Sequence, residues 1–235
     1  VTPADDPHHG CAITRAGPRA AEARGGLVLV HGRSGTAGDI CGLAAMLGAA
    51  DVAVAAPQAA GQSWWPVSFL APMPLLEPWL GSALAAVGRA VASLEDDGIA
   101  RPDIAIAGFS QGACLALEYA ARTGGPWRAV LGFSGGLVGY AEAGGPALAA
   151  LYGHADKLLG NPATRLDGVP VYIGCHAQDP HIPAQRVTAS ADALRAMGAE
   201  VTARLHPGAG HGLTDADIAA GTAALATPPT GTRQS

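Results

Sequence analysis

Five short runs of the chain are apolar almost without interruption, and each stops at glycine, proline or a polar turn. They are 26–32 (GLVLVHG), 51–57 (DVAVAAP), 103–108 (DIAIAG), 129–137 (AVLGFSGGL) and 169–174 (VPVYIG). A strand with one wet face alternates apolar and polar residues, so continuous runs of this kind require cover on both faces. Between them lie segments with helical spacing. Ile40, Leu43, Ala44 and Leu47 form one stripe, and Leu80, Leu84, Val87, Val91 and Leu94 form another within 78–98. Further helices are expected at 113–122, 183–197 and 214–225, and a last strand at 201–207 (VTARLHP). Strand followed repeatedly by helix predicts an α/β chain with a mostly parallel central sheet flanked by helices on both faces.

At 235 residues, 49% of them hydrophobic, the chain can fill one core, and a single domain over 1–235 is expected. Its 33 glycines and 18 prolines follow no period and read as tight connections. The ends, 1–10 and 227–235, are expected to be mobile, and 139–168 to be loop with weak helical content near Ala155. A net charge of −5 with no basic block gives no footprint for nucleic acid. No stretch predicts a transmembrane segment, and VTPADDPHHG lacks the pattern of a signal peptide, so a cytoplasmic protein is expected. Cys11, Cys41, Cys114 and Cys175 form no C-x-x-C pair and no zinc spacing. Free thiols, mostly buried, and no metal are expected.

The sharpest local signal is Gly108-Phe109-Ser110-Gln111-Gly112, a G-x-S-x-G set between a strand and a helix. A chain reversing that sharply at a serine has no room for side chains two positions either side, and glycine removes them. Ser110 is therefore the candidate nucleophile. Gly132-Phe133-Ser134-Gly135-Gly136 matches the same pattern, but GGLVGYAEAGG after it is no convincing helix. Ser134 is expected to be a sheet-end residue near the site.

A serine hydroxyl needs an imidazole to take its proton. His211, in GAGHG after the last strand, can return over Ser110 on a glycine-rich loop, and it follows the acid in the chain order Ser, Asp, His. His206 is the alternative base, though it abuts the strand. His8 and His9 belong to the mobile start, and His31 ends the first run. For the acid, Asp179 stands in the loop after 169–174, fixed by Pro180. Asp156 and Asp167 precede that strand in an irregular region.

The loop after the first run, His31-Gly32-Arg33-Ser34-Gly35, can supply a backbone N–H, that of Arg33, to an oxyanion hole completed by the N–H of Gln111. The Arg33 side chain could bind an acidic substrate group or simply face solvent. No nucleotide motif is present, since neither G-x-x-x-x-G-K-[ST] nor G-x-G-x-x-G fits. Residues 58–78 form a long loop without clean period. There Trp64, Trp65, Phe69, Leu70 and Met73 are candidates for an acyl or alkyl pocket, or for staples holding the loop to the body.

Taken together, LVLVHGR, APQAAGQSWWPVSFLAP, GFSQGA, GCHAQDPHIP and HPGAGHG resemble the phospholipase/carboxylesterase family of α/β-hydrolases over nearly the whole chain. That family includes acyl-protein thioesterases and small bacterial carboxylesterases, and the WWPVSF loop is similar to the latter. The resemblance implies an α/β-hydrolase fold and hydrolysis of carboxylic esters or thioesters through an acyl-enzyme, with no cofactor. It assigns the nucleophile to Ser110, the acid to Asp179, the base to His211 and the oxyanion donors to Arg33 and Gln111. The partner it implies is a small or lipid-like ester, and it admits a homodimer. Family members commonly carry H-G-x-G, whereas Ser34 stands here at the second glycine, so a shifted turn or altered substrate preference is expected. The expected activity is a serine carboxylesterase. Alternatives are an acyl-thioesterase or lysophospholipase with the same triad, and a non-catalytic ligand-binding protein on the same scaffold.

Overall fold

A computed structural model describes residues 6–143 and 157–226 of the protein. In chain order the elements are β1 (Ile13–Ala16), β2 (Gly26–Val30), α1 (Ala37–Met46), β3 (Ala53–Pro57), the single turn α2 (Met73–Leu76), α3 (Trp79–Asp96), β4 (Ile104–Phe109) and α4 (Gln111–Thr123). They continue with β5 (Ala129–Phe133), β6 (Ala141–Glu142), β7 (Lys157–Leu158), β8 (Pro170–Gln178), α5 (Ala184–Ala196), β9 (Glu200–Ala209) and α6 (Asp215–Ala226).

Seven strands make one sheet in the order β1-β3-β2-β4-β5-β8-β9. β1 runs antiparallel to β3, and every other pair in this sheet is parallel. Because successive strand residues point to opposite faces, the continuous apolar runs fill two cores at once. Leu27, Leu29, Ala105, Ala107, Leu131 and Phe133 pack with Leu43 of α1 and Leu225 of α6. Val28, Val30, Ile104, Ile106 and Val130 pack with residues of α3, α4 and α5 on the other side. This is the α/β-hydrolase arrangement. It brings the C-terminal ends of β2, β4, β8 and β9 to one rim, where their loops meet.

Local chemistry starts the helices where the periodicity begins. Thr36 caps α1 through a reciprocal pair: its Oγ1 accepts from the Asp39 N–H at 3.1 Å, and its own N–H donates to Asp39 Oδ2 at 3.1 Å.

Four expectations need correction. β1 lies within the small, polar start and was not legible there. It is an edge strand of four residues with a half-buried pattern, too short to show a period. The segment before it is docked from Asp6 onward, because His8 is fully buried among hydrogen bonds from three directions. In 139–168, β6 and β7 pair as a two-residue antiparallel ladder; the helical content near Ala155, like Asp156, falls outside the described residues. β8 and β9 run past the expected ends at 174 and 207. Their pairing continues through His176 and His206, with a bulge before Gln178 and Ala209.

Candidate active site

The turn between β4 and α4 is as tight as its glycines suggest. Ser110 sits at φ 55°, ψ −121°, a conformation L residues rarely adopt. A Cβ on Gly108 would lie 2.2 Å from the Gly112 carbonyl oxygen, and one on Gly112 would lie 2.1 Å from that of Val30. The Ser110 N–H donates to the Phe133 carbonyl at 2.9 Å, which ties the turn to β5.

Two separate loops, after β8 and after β9, deliver the remaining groups. His211 Nε2 is 2.8 Å from Ser110 Oγ, and His211 Nδ1 is 2.8 Å from Asp179 Oδ2. The partners fix the tautomer: Nδ1–H donates to the carboxylate, leaving Nε2 to accept from the hydroxyl. The Asp179 side chain is wholly inaccessible to solvent. Its other oxygen accepts from the N–H groups of His181 and Ile182 at 2.8 and 3.0 Å, and the Cys175 thiol points at Oδ2 from 3.5 Å. Burial alone would raise the Asp179 carboxyl. The hydrogen bonds from His211, His181 and Ile182 outweigh it and hold the pKa below the ordinary carboxylate value.

Ser134, the second G-x-S-x-G serine, lies at the end of β5 in the same left-handed region, with φ 54°. It is buried, its N–H donates to Gly174 at 2.7 Å, and its Oγ stands 3.5 Å from the Gly212 carbonyl beside His211. It braces the histidine loop and is not bonded to the imidazole. His206 is likewise committed elsewhere, with Nε2 2.8 Å from Asp217 Oδ1. Asp167 pairs with Arg165 on the surface.

Gln111 and Arg33 hold the long loop after β3. The Gln111 amide accepts from the Trp64 N–H at 2.9 Å and donates to the Trp65 carbonyl at 2.9 Å. The Arg33 guanidinium donates to the carbonyls of Trp65, Pro66 and Val67 at 3.0, 3.2 and 2.7 Å. The side chain is exposed, as one of its two expected roles had it, and at the same time clamps the loop. Ser34 stands inside this turn. It adopts φ 64°, the left-handed conformation a glycine would take, and its N–H donates to the Gln62 carbonyl at 2.8 Å.

A cleft of ≈ 630 Å³ opens over Ser110 and His211. Of the five expected lining residues, Trp65 and Phe69 border it, while Trp64, Leu70 and Met73 do not. The Trp64 ring lies 5.3 Å from that of His8 and 5.0 Å from that of His31, with its N–H donating to the His31 carbonyl at 2.8 Å. Leu70 is buried in the core and Met73 packs on it. These three are staples, as the competing reading held, because a loop this long must bury apolar groups to stay closed. Val67, Ile182, Ile40 and His181 also line the cleft and were missed. Ile182 and His181 adjoin Asp179 in sequence, and that adjacency was the available signal. Cys114, one turn past Ser110, borders the cleft too; burial pushes its thiol up to about 12, far from a thiolate.

All four cysteines are free. Among the described residues no helix is long and apolar enough to cross a membrane, and no group of three His, Cys, Asp or Glu side chains could hold a metal ion.

An open, mostly parallel sheet with a strained serine elbow and a histidine on the loop after its last strand defines an α/β-hydrolase. The chain belongs to the phospholipase/carboxylesterase family, whose model matches residues 48–221. It is 36% identical to the phospholipase/carboxylesterase from Dyadobacter fermentans, over 92% of this chain and 97% of that one, with a TM-score of 0.80. The carboxylesterases from Mesorhizobium loti and Bacillus cereus are 21% and 16% identical, with TM-scores of 0.68 and 0.64, and share the fold. The first alignment covers 94% of this chain and 97% of the other, the second 92% and 93%. No curated protein matches the chain significantly. Family membership makes it a hydrolase acting on ester bonds.

Proposed function

We propose that the protein is a serine carboxylesterase working by acyl transfer, with Ser110 as nucleophile, His211 as general base and then acid, and Asp179 as the group that orients it. The observation carrying this reading is the unbroken chain of two 2.8 Å contacts from Asp179 through His211 to Ser110. Ser110 Oγ attacks the ester carbonyl while His211 Nε2 takes its proton, and the buried Asp179 carboxylate stabilises the imidazolium that forms. Gln111 is the first residue of α4, where the backbone N–H has no intrahelical acceptor. Together with the Arg33 N–H it would bind the oxyanion. Gly32 supports this, because even a Cβ there would stand 3.3 Å from Ser110 Cβ, so the two turns pass close together. His211 then protonates the leaving alcohol and later activates the water that clears the acyl-enzyme. Trp65 and Phe69 would contact the acyl group. Free cysteines throughout fit a reducing compartment such as the cytoplasm.

The test is Ser110→Ala, compared with the wild-type chain for labelling by a serine-directed phosphonate and for hydrolysis of short esters. Loss of both in a folded variant, with turnover down by about 10⁴-fold or more, is the expected outcome. Retention of either moves the nucleophile elsewhere. A panel of esters and thioesters of graded acyl length separates esterase from thioesterase or lysophospholipase preference.

A further inference from the structure

Among the described residues, His181 presents the one imidazole of the cleft with hydrogen-bonding capacity to spare. Its backbone N–H is spent on Asp179, but its side chain is exposed and lines the cleft. Among the described residues neither ring nitrogen is hydrogen-bonded. By contrast His31 donates from Nδ1 to the Gly32 carbonyl and accepts at Nε2 from the Ala59 N–H, and both His211 nitrogens belong to the Asp179–Ser110 chain. The His181 ring stands edge-on to that of His211, with centroids 4.8 Å apart and planes at 79°.

That position has a chemical meaning if the acyl-transfer reading holds, on which this inference rests. His211 must hand its proton to the departing oxygen, so the alcohol leaves on the His211 side of the tetrahedral carbon. His181 is next to His211 on that side, whereas Trp65, Val67 and Phe69 supply apolar wall. We infer that His181 is a specificity residue that hydrogen-bonds a hydroxyl carried by the leaving alcohol, and that the preferred substrates are monoesters of neutral polyols. A hydroxyl two or three bonds from the ester oxygen reaches a ring nitrogen that a plain alkyl group would leave to water. The neutral class follows from the charges nearby. The exposed Asp39 carboxylate and the exposed Arg33 side chain both border the same cleft, so its rim carries one charge of each sign, and three loop carbonyls already take donors of the guanidinium.

The experiment compares kcat/KM for 2,3-dihydroxypropyl butyrate and propyl butyrate, which share acyl group and leaving-chain length. Their ratio is corrected by the ratio of their hydroxide-catalysed rates. The wild-type chain should favour the diol ester, and His181→Leu should lower the corrected ratio about three- to tenfold, the worth of one neutral hydrogen bond. His181→Gln, which keeps a donor and an acceptor, should hold most of the selectivity. A ratio does not depend on the fraction of protein folded, so a destabilised variant still reports. A corrected wild-type ratio of one, or a His181→Leu variant that slows both esters in proportion, overturns the inference and leaves His181 as packing for His211. If neither ester turns over and no phosphonate labels the chain, the acyl-transfer reading itself fails, and this inference with it.

Discussion

Asp217 Oδ1 lies 2.8 Å from His206 Nε2, a second buried carboxylate–imidazole pair beside the one that Asp179 makes with His211. The same oxygen accepts from the Tyr172 hydroxyl at 2.8 Å, and Oδ2 accepts from the Thr214 N–H and Oγ1 at 2.8 Å each. A Cβ on Gly174 would stand 1.8 Å from Oδ1, so backbone closes the fourth side. This network joins β8, β9 and the start of α6 around the turn that carries His211. Burial alone would raise the Asp217 carboxyl, but the bonds from Thr214, His206 and Tyr172 hold it low.

Asp217→Asn removes the buried charge, and its NH₂ replaces one of the two oxygens that now accept from Tyr172 and from Thr214. It should destabilise the fold by about 3 kcal/mol, as loss of one partner of a buried charged set does, and should lower kcat more than KM by loosening His211. Urea unfolding and steady-state kinetics check both. An unchanged midpoint with normal kcat would strip the network of this role.

Acid stability should carry the mark of the same carboxylate. Its folded pKa lies below the ordinary 3.8, so its stabilisation is complete above that value and lost as pH falls through the folded one. Asp217→Asn should therefore flatten stability against pH below about pH 4. Chemical unfolding at stepped pH reads it, and parallel curves for wild type and variant would contradict the assignment.

His8 and His31 predict a second loss at milder pH. Each is buried and uses one ring nitrogen to accept a backbone N–H, His8 from Ala60 and His31 from Ala59, both at 3.1 Å. Protonation would remove those acceptors, and burial depresses both pKa values below 6.5. The unfolded chain then binds protons first, so stability should fall as pH drops below 6.5, until the folded imidazoles also titrate. In His8→Gln that slope should shrink while overall stability declines. Thermal melts between pH 7 and 5 measure both.

Ser34 holds a left-handed turn without being glycine. Ser34→Gly should relieve about 1 kcal/mol of backbone strain, partly offset by the freer unfolded chain. The expected net gain is a Tm rise of about 1–3 °C. A lowered Tm would mean that the serine hydroxyl contributes more than its backbone costs.

Much of this molecule is legible in one dimension because its signals are local. A run such as Ile104–Ala107 is apolar at every position because both sheet faces are covered, and glycines at 108 and 112 mark a turn that admits no side chain. Where contacts come from far along the chain, the reading falters. Trp64 and Trp65 are neighbours of identical type, yet one is locked between His8 and His31 while the other borders the cleft. Nothing local separates them. His8 likewise looks like part of a loose start, and only Trp64, Ala60 and Ser82 make it core.

Sequence by itself determined the strand–helix alternation, the serine elbow and the order in which serine, acid and histidine occur, since each is written in the residues of one short segment. Tertiary structure alone decided that His8 and Trp64 are core, that the Arg33 guanidinium is a clamp, and that His181 faces the cleft with its ring nitrogens unengaged. Those outcomes depend on which distant groups fill a side chain's hydrogen-bonding capacity, and that is settled only when the sheet brings its loops to a common rim.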